Sequence, residues 1–366
     1  MRRILLQIII AAAILIAPLT AVANLPTDPP HQLYSEGDLK LESGDVIHDF
    51  MLSYATHGTL NAAKDNAILM TSSLGGNHHR IDFLIGSGKA YDPAKYFIIC
   101  TDAIGNGFTT SPSNSTKQHG TAFPRYTLGD MVQSQYRLIS EKFGIKKLAI
   151  VTGASMGGMQ SLQWGVSHPE MMKMIVALTP LARTPPWSMV MTKAGRAALT
   201  LDPAYNNGNY TAQPEAGWRA QSNIFDSIAT RTPAGLDEAF PKETDVLAFM
   251  KKQEDNRIAS KLDANDWISQ TYAYDAFNVG NSTFHGDWKA ALGSIKAKAL
   301  LVGGPLDLLN PAEEVTRAAQ AIPGAVHVTI PSKQGHFAAS SFNATDVQFM
   351  NGIVGAFISG QTVQPS

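Results

Sequence analysis

Short apolar runs alternate with segments of helical period along most of the chain. Apolar runs typical of strands buried on both faces occur at 67–71, 96–101, 147–152 and 175–178. Between the second and third of these runs, residues 127–143 predict a helix, because apolar side chains recur on one face and Gly144 suits its end. Alternating strands and helices predict a mostly parallel sheet flanked by helices and connected by right-handed crossovers.

The alternation stops near residue 180 and returns near residue 293. The intervening segment mixes polar residues and helical periods with tryptophans at 187, 218, 267 and 288. Strand patterns then reappear at 297–302 and 326–330, and helices are expected near 311–321 and 346–358. We therefore predict an α/β core formed by 24–179 and 293–366, with a helical lid at 180–292 inserted before the last strands.

The first 23 residues have the layout of a secretory signal peptide. Arg2 and Arg3 precede an apolar run that ends at Ile16, and a small-residue triplet ends at Ala23. The run is shorter than the ~20 residues that span a bilayer, which favours cleavage after Ala23 over an uncleaved membrane anchor. We expect a periplasmic or secreted protein with no stable membrane anchor after cleavage.

Composition narrows the functional classes. Charged residues make up 16% of the 366 residues, and the formal net charge is −1, so no basic excess favours nucleic-acid binding. The single cysteine, Cys100, excludes an internal disulfide. His78 and His79 have no third ligand at a metal-binding spacing, so we expect them to be loop histidines. No metal or cofactor is predicted.

A candidate nucleophile lies between a predicted strand and a helix. Gly153-Ala-Ser-Met-Gly157 matches G-x-S-x-G directly after the strand pattern at 147–152. In this turn small flanking residues allow a tight bend, and the helix N-terminus points at a developing oxyanion. Ser155 is therefore the predicted nucleophile.

A serine needs a base and an acid, and after such an elbow they follow in the order Ser, Asp, His. His336 lies in a loop after the last predicted strand, whereas His327 lies inside that strand. Asp307 follows the preceding strand, whereas Asp275 and Asp287 lie in the insertion and are expected to be solvated. We predict that Asp307 orients His336, which activates Ser155.

The oxyanion hole requires two backbone N–H groups. Met156 supplies the first because it follows the nucleophile. The second is expected in the loop after the strand at 67–71, from Ser73, with Leu74 as the alternative.

These motifs resemble the homoserine O-acetyltransferase-like branch of the α/β-hydrolase superfamily. The segments that carry the likeness are Tyr54-Ala-Thr-His-Gly-Thr-Leu-Asn61, Gly105-Asn-Gly-Phe-Thr-Thr-Ser-Pro-Ser-Asn114, Phe123-Pro-Arg-Tyr-Thr-Leu-Gly-Asp130, Gly153-Ala-Ser-Met-Gly-Gly-Met-Gln-Ser-Leu-Gln-Trp164 and Leu262-Asp-Ala-Asn-Asp266. The resemblance implies an α/β-hydrolase fold with a helical lid, a triad of Ser155, Asp307 and His336, and a homodimer.

Three departures from the transferase pattern favour a hydrolase. Phe337 stands where transferases typically carry an aspartate, and Lys261 stands where they typically carry an arginine. Gly105-Asn-Gly107 replaces a glycine-cysteine-glycine stretch. Leu74, Phe337 and Lys261 are the expected substrate contacts. We predict an exported serine hydrolase acting on a small or medium ester. The alternative is an acyltransferase of the homoserine O-acetyltransferase type that uses an acyl-CoA donor.

Overall fold

The computed structural model describes residues 30–364, and within that range eight strands form one sheet. The strands are β1 (Gln32–Lys40), β2 (Val46–His57), β3 (Ala67–Thr71), β4 (Phe97–Thr101), β5 (Leu148–Ala154), β6 (Met172–Leu178), β7 (Lys298–Gly303) and β8 (Val326–Thr329). Their order is β1-β2-β4-β3-β5-β6-β7-β8. β2 pairs antiparallel with β1 and β4, and the other pairs are parallel.

Helices cover both faces of the sheet and fill the segment between β6 and β7. They are α1 (Leu128–Arg137), α2 (Met156–Ser167), α3 (Pro186–Thr200), α4 (Glu215–Ile224), α5 (Pro233–Ala239), α6 (Glu243–Ala259), α7 (Ala264–Asp275), α8 (Trp288–Gly293), α9 (Ala312–Ala321) and α10 (Ala344–Ile358). The predicted fold class, a mostly parallel α/β-hydrolase sheet flanked by helices, is confirmed.

The central strands are buried on both faces because successive side chains point to opposite sides of the sheet. In β3, Leu69 packs into the core beneath α1, α2, α8 and α9, whereas Ile68 and Met70 pack into the core beneath α10. This double burial explains why the strands appear in the sequence as continuous apolar runs rather than as alternating patterns.

The segment between β6 and β7 has a third apolar core of its own. Trp218, Phe225 and Trp267 lie at its centre, where both other rings meet the Trp267 ring edge to face. Leu309, from the loop after β7, packs into the same core. The lid therefore rests on the sheet edge where β7 ends.

The predicted signal peptide and its cleavage site lie outside the described residues. Between residues 30 and 364, none of the helices is both long enough and apolar enough to cross a membrane. Export and location stay predictions.

Candidate active site

Ser155 occupies a strained turn between β5 and α2. Its φ of 56° and ψ of −122° lie in a backbone region that residues other than glycine rarely adopt. Its backbone N–H donates to the Leu178 carbonyl at 2.8 Å. A Cβ at Gly153 would come within 2.5 Å of the Gly157 backbone, and a Cβ at Gly157 within 2.3 Å of the Thr71 carbonyl oxygen. Glycine at both positions therefore permits the turn that lifts the Ser155 side chain out of the sheet edge.

The structure brings the three predicted triad residues together. Ser155 Oγ lies 3.0 Å from His336 Nε2, and His336 Nδ1 lies 2.7 Å from Asp307 Oδ2. The other carboxylate oxygen, Asp307 Oδ1, accepts from the backbone N–H groups of Leu309 and Asn310, both at 2.8 Å. Ser155 is 3% exposed, His336 5% and Asp307 4%, so little solvent competes for these hydrogen bonds.

Two loops at the carboxyl ends of β7 and β8 carry the acid and the base. Asp307 follows β7, and His336 lies in the short 3₁₀ turn Gly335–Ala339 that follows β8. The loops touch, since a Cβ at Gly304 would come within 2.4 Å of the Gly335 carbonyl oxygen. Gly335 itself has a φ of 58°, which favours glycine. His327 lies in β8, as predicted, and its partial burial lowers the pKa of its ring.

The loop after β3 is fixed against the elbow. The Ser73 hydroxyl donates to the Ala154 carbonyl at 2.6 Å, and the Thr71 hydroxyl donates to the Gly157 carbonyl at 2.7 Å. Met156 begins α2, where backbone N–H groups have no partner within the helix. The loop and the helix start therefore meet beside Ser155. The choice of Ser73 over Leu74 as second oxyanion donor stays a prediction.

Ser155 and His336 open into a cavity of about 180 Å³. Its wall is formed by the loop after β3, the lid and the turn that carries His336. The lining residues include Ser73, Leu74, His79, Arg80, Phe225, Asp226, Arg257, Trp267, Leu309, Phe337, Ser340 and Phe342. The cavity is therefore partly apolar and contains several charged groups.

Of the expected substrate contacts, Leu74 and Phe337 line the cavity, whereas Lys261 does not. Phe337 is 4% exposed, and its ring stacks on Phe342 with centroids 5.9 Å apart. Lys261 is exposed just beyond the end of α6. Arg257, one turn earlier, lines the cavity instead and pairs with Asp226 at 2.7 Å. Sequence spacing did not identify Arg257 as a cavity residue, because its position in the cavity wall depends on which face of α6 meets the cavity.

The lid holds both loops of the triad. At the start of α3, the Trp187 indole donates to the Leu308 carbonyl and the Ser188 hydroxyl to the Leu309 carbonyl, both at 2.6 Å. After α4, Arg231 lies 4.7 Å from the Phe337 ring centroid, and the Thr232 hydroxyl donates to the Lys333 carbonyl. The lid thus supports the triad without contributing a member to it.

Asn310 is a supporting residue that sequence reasoning missed. Its amide donates to the Thr179 carbonyl at 2.7 Å and its oxygen accepts from the Tyr274 hydroxyl. These bonds tie the Asp307 loop to the end of β6 and to α7. The one sequence clue was the position of Asn310 within the turn that follows Asp307.

One of the two lid aspartates that were expected to be solvated differs from that expectation. The prediction that Asp275 is solvated is wrong: it pairs with Arg196 at 2.6 Å, and both side chains are 12% exposed. Asp287 is exposed, as predicted, and it caps α8, since its side chain accepts from two backbone N–H groups. Asp266 accepts from the Ser113 N–H and hydroxyl at 2.8 and 2.6 Å, and burial raises the pKa of its carboxyl to about 8.

His78 and His79 each pair with a carboxylate. His78 Nδ1 lies 2.8 Å from Asp102 Oδ2 with both side chains fully buried, and His79 Nδ1 lies 2.7 Å from Asp82 Oδ2. Across residues 30–364, no group of three or more His, Cys, Asp or Glu side chains is arranged to hold a metal ion.

A mostly parallel eight-stranded sheet with a serine on its central strand-to-helix turn defines the α/β-hydrolase class. A family model described as the alpha/beta hydrolase fold matches residues 66–340, and the chain belongs to that family.

The relatives divide between two activities. The chain is 33% identical over 317 residues to a homoserine O-acetyltransferase of Nostoc punctiforme, covering 81% of this chain and 88% of that protein. It is 32% identical over 318 residues to a probable esterase of Corynebacterium glutamicum, covering 84% and 89%. The solved structure of an acetyl esterase, MekB, aligns with a TM-score of 0.84 and 30% identity over 90% of this chain and 97% of that one. The chain is thus a hydrolase or acyltransferase of this family.

Proposed function

We propose that the protein is an exported serine hydrolase that cleaves a small or medium ester through an acyl-enzyme and transfers the acyl group to water. One observation carries this proposal: Ser155 Oγ, His336 and Asp307 form a continuous hydrogen-bonded chain at the wall of a small cavity. Export rests on the pattern of residues 1–23.

In the first half of the reaction Ser155 Oγ attacks the ester carbonyl carbon. His336 Nε2 takes the hydroxyl proton, while Asp307 holds the ring so that Nδ1 carries its own proton. The negative charge on the carbonyl oxygen is stabilised by the N–H groups of Met156 and Ser73. The C–O bond to the alcohol then breaks, and the imidazolium returns its proton to the leaving oxygen.

The second half repeats these steps with water in place of the serine. His336 takes a proton from a water molecule as its oxygen bonds to the acyl carbon. The bond to Ser155 Oγ then breaks, the serine regains a proton from His336, and the acid leaves. No group beyond the triad and the backbone donors is required.

The environment of His336 favours water over homoserine as the acceptor. Phe337, next in sequence, is buried against Phe342, so this position offers no carboxylate to a substrate ammonium group. Among the described residues that line the cavity, Asp226 is the one carboxylate, and it already pairs with Arg257 at 2.7 Å. An unpaired charge in a closed site costs several kcal/mol. The similarity to acetyl esterase MekB also supports hydrolysis.

The acyltransferase alternative has support from the similarity to the Nostoc punctiforme enzyme. The resemblance of the sequence motifs to the homoserine O-acetyltransferase-like branch implies a homodimer, which we propose on that ground alone. Light scattering after size-exclusion chromatography measures the oligomeric state.

Labelling and turnover together test the nucleophile and the acceptor. A fluorophosphonate should label the wild-type protein but not the Ser155→Ala variant, which should lose about 10⁵ to 10⁶ in kcat on a 4-nitrophenyl ester. Thiol release from acetyl-CoA should not rise when homoserine is added. Labelling that survives the substitution refutes the nucleophile, and homoserine-dependent thiol release far above the ester rate restores the transferase.

A further inference from the structure

Two arginines line the cavity, and only one of them is neutralised. Arg257 binds both carboxylate oxygens of Asp226 at 2.7 and 2.9 Å. Arg80 donates from Nη2 to the Ala339 carbonyl at 3.0 Å. No carboxylate within residues 30–364 lies within 4.0 Å of the Arg80 guanidinium.

Arg80 is partly exposed, and the N–H groups of its guanidinium that lack a protein partner are open to the cavity. Its planar N–H groups are suited to two parallel hydrogen bonds with a carboxylate, and one backbone carbonyl leaves most of them unused. Burial lowers the pKa of Arg80 to about 10, so the guanidinium stays protonated at neutral pH.

Arg80 lies beside the catalytic machinery. Its carbonyl partner, Ala339, belongs to the same 3₁₀ turn as His336. Arg80 and Ser155 line one cavity of about 180 Å³. A small molecule that presents its ester to Ser155 is therefore within reach of this cation.

We propose that Arg80 binds a carboxylate on the substrate, so that the site prefers esters carrying a carboxylate in addition to the ester group. This inference rests on the proposed ester hydrolase function and narrows its substrate class. The carboxylate can lie on the acyl side, as in a dicarboxylic acid monoester, or on the alcohol side, as in an acylated hydroxy acid. In either case a bidentate ion pair fills the unused donors of Arg80.

Matched esters test this preference on the wild-type protein. For the acyl side, 4-nitrophenyl hemisuccinate is compared with 4-nitrophenyl 4-methylpentanoate, in which an isopropyl group replaces the carboxylate. For the alcohol side, acetoxyacetate is compared with isobutyl acetate. After subtraction of the uncatalysed rate, kcat/KM for the anionic ester should exceed that of its neutral partner at least about tenfold in one of the two pairs.

Two variants then assign that preference to Arg80. In Arg80→Met the anionic-to-neutral ratio of kcat/KM should fall about thirtyfold, which corresponds to about 2 kcal/mol at 1.4 kcal/mol per factor of ten. The ratio for Arg80→Lys should lie between those of the wild type and Arg80→Met, because lysine keeps the charge but cannot form two parallel hydrogen bonds with a carboxylate. If Arg80 only supported the turn through its hydrogen bond to Ala339, the substitution would lower kcat/KM for both esters alike and leave the ratio unchanged.

The outcomes separate this inference from the proposed function. If neutral esters are cleaved and Ser155 is labelled, but neither anionic ester is preferred, the Arg80 inference alone is overturned. An unchanged ratio in Arg80→Met overturns it as well. If no ester is cleaved and Ser155 is not labelled, the hydrolase proposal fails and this inference fails with it. Should Arg80→Met not fold, the wild-type ratios and the protection of Ser155 from labelling by succinate decide.

Discussion

Replacing Asp307 with asparagine should disable His336 while preserving the shape of the site. Asp307 Oδ1 accepts from the backbone N–H groups of Leu309 and Asn310 at 2.8 Å. An asparagine keeps its carbonyl oxygen on these two donors and therefore turns its NH₂ toward His336 Nδ1. Because NH₂ only donates, Nδ1 must be the unprotonated nitrogen, and Nε2 then carries the proton and cannot accept one from Ser155.

The size of the loss follows from the alternative rotamer. To restore the productive tautomer, the amide must flip and leave two buried N–H groups facing its NH₂. Each unsatisfied buried donor costs about 1–3 kcal/mol, so the flip costs about 2–6 kcal/mol. At 1.4 kcal/mol per factor of ten, kcat should fall by about 30-fold to about 10⁴-fold, and the upper end matches the loss typical of a wrong tautomer.

Steady-state hydrolysis of a 4-nitrophenyl ester measures this loss. Asp287→Asn is a matched control, since its carboxylate also accepts from two backbone N–H groups, at 3.1 Å, but lies outside the cavity lining. That variant should keep full activity, because asparagine caps a helix as well as aspartate does. If Asp307→Asn retains more than about a tenth of wild-type kcat, the tautomer argument is refuted.

Two further substitutions test the elbow and the lid. Gly157→Ala should lower kcat at least about 100-fold, because its Cβ would come within 2.3 Å of the Thr71 carbonyl oxygen and push apart the groups around the oxyanion. Gly352→Ala is the control, since its Cβ would have nothing within 4 Å. This variant should keep its activity, and its free energy of unfolding in urea should rise by about 0.5–1 kcal/mol. A folded Asp266 carboxyl with a pKa near 8, above its unfolded value, contributes stability at low pH that is lost as pH rises from about 4 to about 8. Between these pH values, the free energy of unfolding should fall with pH less steeply in Asp266→Asn than in the wild type, by up to about 1.4 kcal/mol per pH unit. Equal slopes for the two proteins would contradict this.

The inner strands could be predicted from sequence, but the edge strand could not. β3, β4 and β5 are buried on both faces and therefore have continuous apolar runs. β1 lies at the edge of the sheet, where Glu36 and Leu39 are its buried residues and most of the others face solvent. Its residues therefore form no continuous apolar run in the sequence. The predicted helix at 127–143 is α1 followed by the π-helical turn Leu138–Lys142.

The residues brought together at Ser155 were predictable because chain order and sheet topology constrain them. An acid after one strand and a histidine after the next must meet at the same sheet edge when those strands are parallel neighbours. The supporting residues lacked such a rule. Arg80 and its partner Ala339 are 259 positions apart, and their contact depends on how two loops pack. Which N–H completes the oxyanion hole depends on loop geometry finer than any sequence pattern.

The contacts between the lid and both triad loops have a consequence for thermal inactivation. Trp187 and Ser188 hold the loop of the acid, and Arg231 and Thr232 hold the loop of the base. Melting of the lid alone would release both loops while the sheet remained folded. On heating, activity should therefore disappear in a first transition in which only part of the far-ultraviolet circular dichroism, the helical signal of the lid, is lost. A single transition in which activity and the whole signal disappear together would show that lid and sheet unfold as one cooperative unit.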